Sequence, residues 1–159
     1  MKKLAPPLYT PEERKRRDET VWTVIQGVLA PVQFLVCFIS ICLVVRFLLT
    51  GQGYALANLS VFIKTLFLLT IMVTGSIWEK VVFGQYLFAK AFFWEDLVSM
   101  LVIALHLSYV ISVYLMLLSQ TQLMWLALFA YFTYIVNAVQ FLAKLRQARR
   151  SEAYQEHYL

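Results

Sequence analysis

Three of the nine carboxylates, Glu79, Glu95 and Asp96, share one stretch with His106, one of two histidines: Trp78 to His106, WEKVVFGQYLFAKAFFWEDLVSMLVIALH. Both flanks are apolar enough to lie in a bilayer, so these charges sit at or inside a membrane edge. Each costs on the order of a few kcal/mol near a helix centre and less toward the ends. Carboxyl groups in such a place suit proton transfer, because low dielectric and a neighbouring carboxylate both favour the protonated form, and Glu95 beside Asp96 offers both. Other chemistries lack their equipment. The chain has no GxGxxG, P-loop, GxSxG, HExxH or paired CxxC. With His157 in the tail, a multi-histidine zinc or diiron site and a bis-histidine haem are excluded. Chemistry must rest on carboxylates, one imidazole and amides.

The elements that carry these residues are membrane spans. Of 159 residues, 61% are hydrophobic and 14% charged, with mean hydropathy +0.70. A soluble domain carries about a quarter charged residues, so lipid must cover this apolar surface. The length suits one domain, and Cys37 and Cys42, five apart in an apolar run, are expected to stay reduced. The net charge of +5 does not indicate nucleic acid, because the basic residues flank apolar spans.

Residues 1–19 are polar and read as an N-terminal segment. Thr10-Pro11-Glu12-Glu13 supplies an N-cap, a first-turn proline and first-turn acids, predicting a short helix along the membrane surface. Residues 20–45 hold no charge, long enough for a first span, with a kink expected at Pro31. Gln26, Ala30, Gln33 and Cys37 share one face, which should point into a bundle. Gly51-Gln52-Gly53 is a turn, and a second span runs from about residue 56 to 78. Lys64 lies well inside it and is expected to snorkel to the outer surface. Residues 81–91 read as an aromatic-rich interfacial loop. No Asp, Glu, Lys or Arg occurs from 97 to 143, and Ser119-Gln120-Thr121-Gln122 is the only polar break, so two more spans form a tight hairpin. The expected architecture is all-α: an integral membrane four-helix bundle over residues 20–146, a short interfacial helix before it, and a polar tail over 147–159. Of the 14 lysines and arginines, only Arg46 and Lys64 fall in the outer half, which places both termini in the cytoplasm.

A hairpin turning at Gln120 makes Asp96 level with Lys144, Ile103 with Asn137 and His106 with Tyr134. Thr133, Asn137, Gln140 and Lys144 form a polar stripe on the fourth span, and Glu95, Ser99, Val102 and His106 a matching one on the third. Such stripes should face each other or a shared cavity, because lipid cannot satisfy them. At about 1.5 Å per residue, His106 lies some 16 Å deeper than Glu95, so only a large flat ligand could touch both. Structural readings stand beside these. Glu79-Lys80 can mark a helix end, Glu95 and Asp96 can complement a helix N-terminus, and His106, Asn137 and Gln140 can join helices by hydrogen bonds.

The chain resembles the 3-vinyl (older name 2-vinyl) bacteriochlorophyllide hydratases of bacteriochlorophyll biosynthesis. The resemblance is carried by Leu8-Tyr9-Thr10-Pro11-Glu12, by VIQGVLAPVQF at 24–34, by IMVTG at 71–75 and by Ile77-Trp78-Glu79-Lys80. It continues in AFFWED at 91–96, in Leu105-His106 and in YIVNA at 134–138. It implies addition of water to the ring-A vinyl group of a chlorophyllide, giving a 1-hydroxyethyl substituent, in the bacterial inner photosynthetic membrane. The substrate would be an apolar disc bearing an anionic propionate, which Lys80, Lys90 or Lys144 could hold. On this reading Glu95 donates the proton, and Glu79 or Asp96 orients the water as base. His106 serves as axial ligand to the pigment's magnesium or lies on a proton path. Gln33, Trp94, Asn137 and Gln140 complete the substrate-binding set. No cofactor and no added metal are required. The expected partners are the tetrapyrrole, the lipid bilayer, and a second copy or pathway enzymes. A pigment-binding assembly protein is the main rival, and a small transporter a weaker one.

Overall fold

A computed structural model describes residues 7–158 of the chain, with side chains through residue 154. The helix-start signal at Thr10 is used in full. Its hydroxyl accepts from the Glu13 N–H at 3.2 Å and the Glu13 carboxylate accepts from the Thr10 N–H at 2.8 Å, a reciprocal cap that opens α1, Pro11–Glu19. Thr20 ends α1 and caps α2, Val21–Thr50, through Trp22 N–H. Pro31 lies inside α2 without ending it. Gly51 (φ 70°) and Gly53 (φ 84°) take left-handed conformations that close α2 and open α3, Tyr54–Phe83. Thus α3 runs five residues beyond the expected limit at Trp78, because no helix breaker occurs before Gly84. The extra turn carries Glu79 and Lys80 within the helix.

After a connection over residues 84–92 come α4, Phe93–Tyr114, and α5, Gln120–Tyr158. The polar break between them is a reciprocal cap of its own: Ser119 Oγ accepts from Gln122 N–H, and Gln122 Oε1 accepts from Ser119 N–H at 2.9 Å. Four helices, α2 to α5, are long and apolar enough to cross a membrane. Among the described residues there is no strand.

The bundle is two hairpins laid together. α2 packs chiefly on α3 and α4 on α5, and the leaves meet where α2 touches α5 and α3 touches α4. The inner face of α2 is Gln33, Cys37, Ser40, Val44 and Phe47, at the spacing the sequence predicted. Small residues Ala57 and Ala127 let the backbones approach closely at the core. Large apolar side chains point the other way: Phe38, Leu66 and Phe132 are each more than 60% exposed, the arrangement of a protein dissolved in lipid.

At the end bearing both termini, the chain preceding α1 is latched onto the bundle. Tyr9 stacks on Phe83 at 5.7 Å, and the Arg17 guanidinium lies 4.7 Å from the Tyr9 ring centroid. Arg17 also donates to Glu152 on α5 at 2.7 Å. Burial pushes the Tyr9 phenol from its ordinary 10.0 up to about 12. The unfolded chain therefore releases this proton first, so the latch stabilises fully below about pH 10 and its contribution is lost as pH rises to about 12. Alkaline unfolding followed by circular dichroism should be steeper across that window in the native protein than in Tyr9→Phe.

Candidate functional site

The site forms where α3 ends and α4 begins. Both segments bury their acids because the connection between them folds back as a strap over residues 84–92. Glu79 and Asp96, 4% and 2% exposed, lie with their carboxyl groups side by side beneath it. The strap's backbone binds both: Phe88 N–H donates to Asp96 Oδ2 at 2.8 Å and Ala89 N–H to Glu79 Oε2 at 3.2 Å. Phe88 adopts φ 59°, a left-handed conformation costly for a residue with a side chain, so the strap is held there by these contacts. Next to the strap's end, Phe92, 1% exposed, gathers an aromatic cluster with Trp78 (5.8 Å), Phe83 (5.9 Å) and Phe141 (5.7 Å).

Glu95 faces the other way. Both its carboxylate oxygens take hydrogen bonds from Lys144 Nζ, at 3.2 and 3.1 Å. Its carbonyl accepts from Asn137 Nδ2 at 2.8 Å, while Ser99 donates to Asn137 Oδ1 at 2.9 Å. The two polar stripes interlock as their spacing predicted: Glu95, on the α4 stripe, meets Lys144, one residue from the level expected for Asp96. Successive helical residues point about 100° apart, so one step in register exchanges the acid facing α5 for the acid facing α3.

Other expected site residues divide. Lys80 donates to Gly84 O at 2.7 Å and caps α3, and Trp94 is 66% exposed, edge-on to Phe93 on the outer surface. Neither points toward the carboxyl pair. Gln140 keeps a buried Oε1 with no hydrogen-bond partner. His106 is 1% exposed, and its Nδ1 lies 2.8 Å from Val102 O. A carbonyl only accepts, so Nδ1 carries the proton and a neutral ring presents Nε2 as a bare lone pair. That Nε2 is buried with no partner, the state of a nitrogen awaiting a metal or a donor.

Lys64 overturns the expectation that it snorkels outward. It is fully buried: its Nζ donates to Gln33 Oε1 and sits 3.6 Å from the Tyr134 ring centroid. Gln33 in turn donates to Phe67 O at 3.0 Å. Nearby, Ser40 shares hydrogen bonds with Tyr131 (2.6 Å) and Ser60 (2.7 Å). Sequence reasoning missed this layer, although Ser40 follows Gln33 and Cys37 on one face of α2 and could have marked it. Among the described residues, no three His, Cys, Asp or Glu side chains converge as a metal site would need.

Comparison with known proteins follows the same residues. The family model for 2-vinyl bacteriochlorophyllide hydratase matches residues 9–147. A relative of that name from Rhodobacter capsulatus is 61% identical over 146 residues, covering 92% of this chain and 85% of its own. Another of the same name, from Cereibacter sphaeroides, is 61% identical over 142 residues, covering 89% and 88%. No solved structure gives a significant match. The matched segment spans every side chain of the carboxyl cluster and of the mid-bundle layer, and the chain belongs to the 2-vinyl bacteriochlorophyllide hydratase family.

Proposed function

We propose that this hydratase adds water to the ring-A vinyl group of a chlorophyllide-type tetrapyrrole, with Glu79 and Asp96 as the acid–base pair. The observation that carries this assignment is the burial of both carboxyls on the adjacent Phe88 and Ala89 N–H groups of the strap. Two buried carboxyls side by side do not both stay ionised, so one keeps a proton. The helix dipoles favour Glu79 as the one that keeps it. Asp96 lies in the first turn of α4, where negative charge is favoured, and takes the shorter N–H bond; Glu79 lies in the last turns of α3, where it is not.

Glu79 gives its proton to the terminal vinyl carbon, forming a C–H bond. The positive charge left on the carbon beside the ring is spread over the conjugated macrocycle. Water adds there, and its surplus proton passes to Asp96, so the new C–O bond forms at the internal carbon and the product is a 1-hydroxyethyl group. Transfer of that proton from Asp96 to Glu79 restores the starting state. Glu95, committed to Lys144, holds α4 to α5 and so fixes where Asp96 points. The acid role that the sequence suggested for Glu95 passes to Glu79.

The bare Nε2 of His106 suits axial ligation of the substrate's magnesium, deeper in the bundle than the pair. The alkene reaches the pair when the strap lifts, and the strained Phe88 backbone favours that opening. The basic residues at the terminus-bearing end give it a cytoplasmic location in the bacterial inner photosynthetic membrane.

The test is purified protein with vinyl chlorophyllide in detergent or nanodiscs. Loss of the vinyl double bond moves the red absorption band to shorter wavelength, and in oxygen-18 water the product gains one labelled oxygen. A pigment that binds with no labelled product would sink the hydratase reading in favour of a carrier.

A further inference from the structure

Lys64 is a cation in the middle of the bundle, fully buried, and among the described residues no carboxylate pairs with it. Its neighbours are an amide oxygen from α2 and a ring face from α5. Both are weaker partners than an anion in a medium of low dielectric, and an ammonium group held there without one is costly. Of the three lysines expected near a substrate carboxylate, Lys144 is held on Glu95 and Lys80 on the end of α3, and Lys90 is exposed on the strap, outside the bundle core. The bundle core holds a second incomplete group, His106, whose buried Nε2 has no partner.

We propose that Lys64 receives the carboxylate of the substrate, so that the acid end of the flat molecule lies mid-bundle while its alkene lies at Glu79–Asp96. This rests on the hydratase reading above. Lys64 and Glu79 stand on one helix, about 22 Å apart along its axis at about 1.5 Å per residue. Side chains reaching inward from both ends shorten that separation toward the span between a tetrapyrrole's vinyl group and its acid arm. His106 lies between these levels, where the centre of such a ring would be. Gln33 orients the ammonium by its Oε1 and is itself fixed by its bond to Phe67 O. Lys64 is then a specificity-determining residue: it selects free acids over esters and sets which way round the disc enters.

The experiment compares vinyl chlorophyllide with its methyl ester. The native protein should show a KM at least tenfold higher for the ester. Lys64→Met should raise the KM of the free acid by about the same factor and leave that of the ester unchanged, and Lys64→Arg should restore the preference. A merely structural lysine would change both substrates equally, which overturns the proposal. Equal KM values for acid and ester on the native protein overturn it with no variant needed. If the native protein hydrates neither compound, the hydratase reading itself has failed.

Discussion

Replacing Glu79 with Gln should abolish hydration almost completely, lowering kcat by about 10²- to 10⁴-fold, the range for losing a positioned general acid. The substitution is conservative in shape. A glutamine carbonyl still accepts from Ala89 N–H, and its amide can donate to the adjacent Asp96, so the strap should stay closed and pigment binding should persist. What disappears is the transferable proton. KM should therefore change little while kcat collapses, the pattern of an interaction used only in the transition state. Asp96→Asn should be similarly inactive, because water then has no base and the proton no route back. Glu95→Gln is the informative contrast, since its carboxylate lies on Lys144 and away from the reacting pair. It should retain most of the turnover. Rates measured by the blue shift of the red band decide it: a fully active Glu79→Gln protein excludes the pair, and an inactive Glu95→Gln protein beside it returns the acid role to Glu95.

The second large effect concerns stability. Lys144→Met strands the Glu95 carboxylate, 7% exposed, inside the bundle without its cation. Removing one partner of a buried ion pair costs about 3–5 kcal/mol, and because Lys144 is partly exposed the lower part of that range is expected. Glu95→Gln alone should cost less, since an amide needs no counter-ion. The double variant should recover much of the loss, a coupling of at least about 1 kcal/mol in a double-mutant cycle. Unfolding in mixed micelles supplies the measurement. Additive single effects would mean that the pair is not coupled and that Glu95 is not an ion held by Lys144.

Much of this molecule is legible from its sequence because lipid imposes simple rules. Charge-free runs gave the first, third and fourth spans, and an apolar run interrupted by Lys64 gave the second. The stripe spacings gave the inward faces of α2, α4 and α5. Thr10 announced a helix start, and Ser119 to Gln122 a turn. The carboxyl cluster was visible as a cluster. The spacing of Glu95 with Ser99 and His106 turned it toward α5, but nothing in the sequence said that Asp96 beside it would pair with Glu79 across the strap, since that depends on how α3 and α4 meet. The back-folded strap is a tertiary outcome: two backbone N–H groups satisfied by two acids, with no local signature in the residues between. Lys64 misled for a related reason. A long basic side chain in a span usually reaches for water, and only the arrival of Gln33 and Tyr134 from two other helices makes the inward route available.

The division into an α2–α3 leaf and an α4–α5 leaf bears on traffic. Glu79 and Lys64 belong to one leaf, Asp96 and His106 to the other, so the proposed reacting groups lie along the seam where the two leaves meet. A greasy disc can slide edgewise through such a seam as a sheet slides between covers, never leaving oil for water. On the proposed mechanism the alcohol would leave by the same seam, into the plane of the lipid, where the enzyme that acts on it next would collect it.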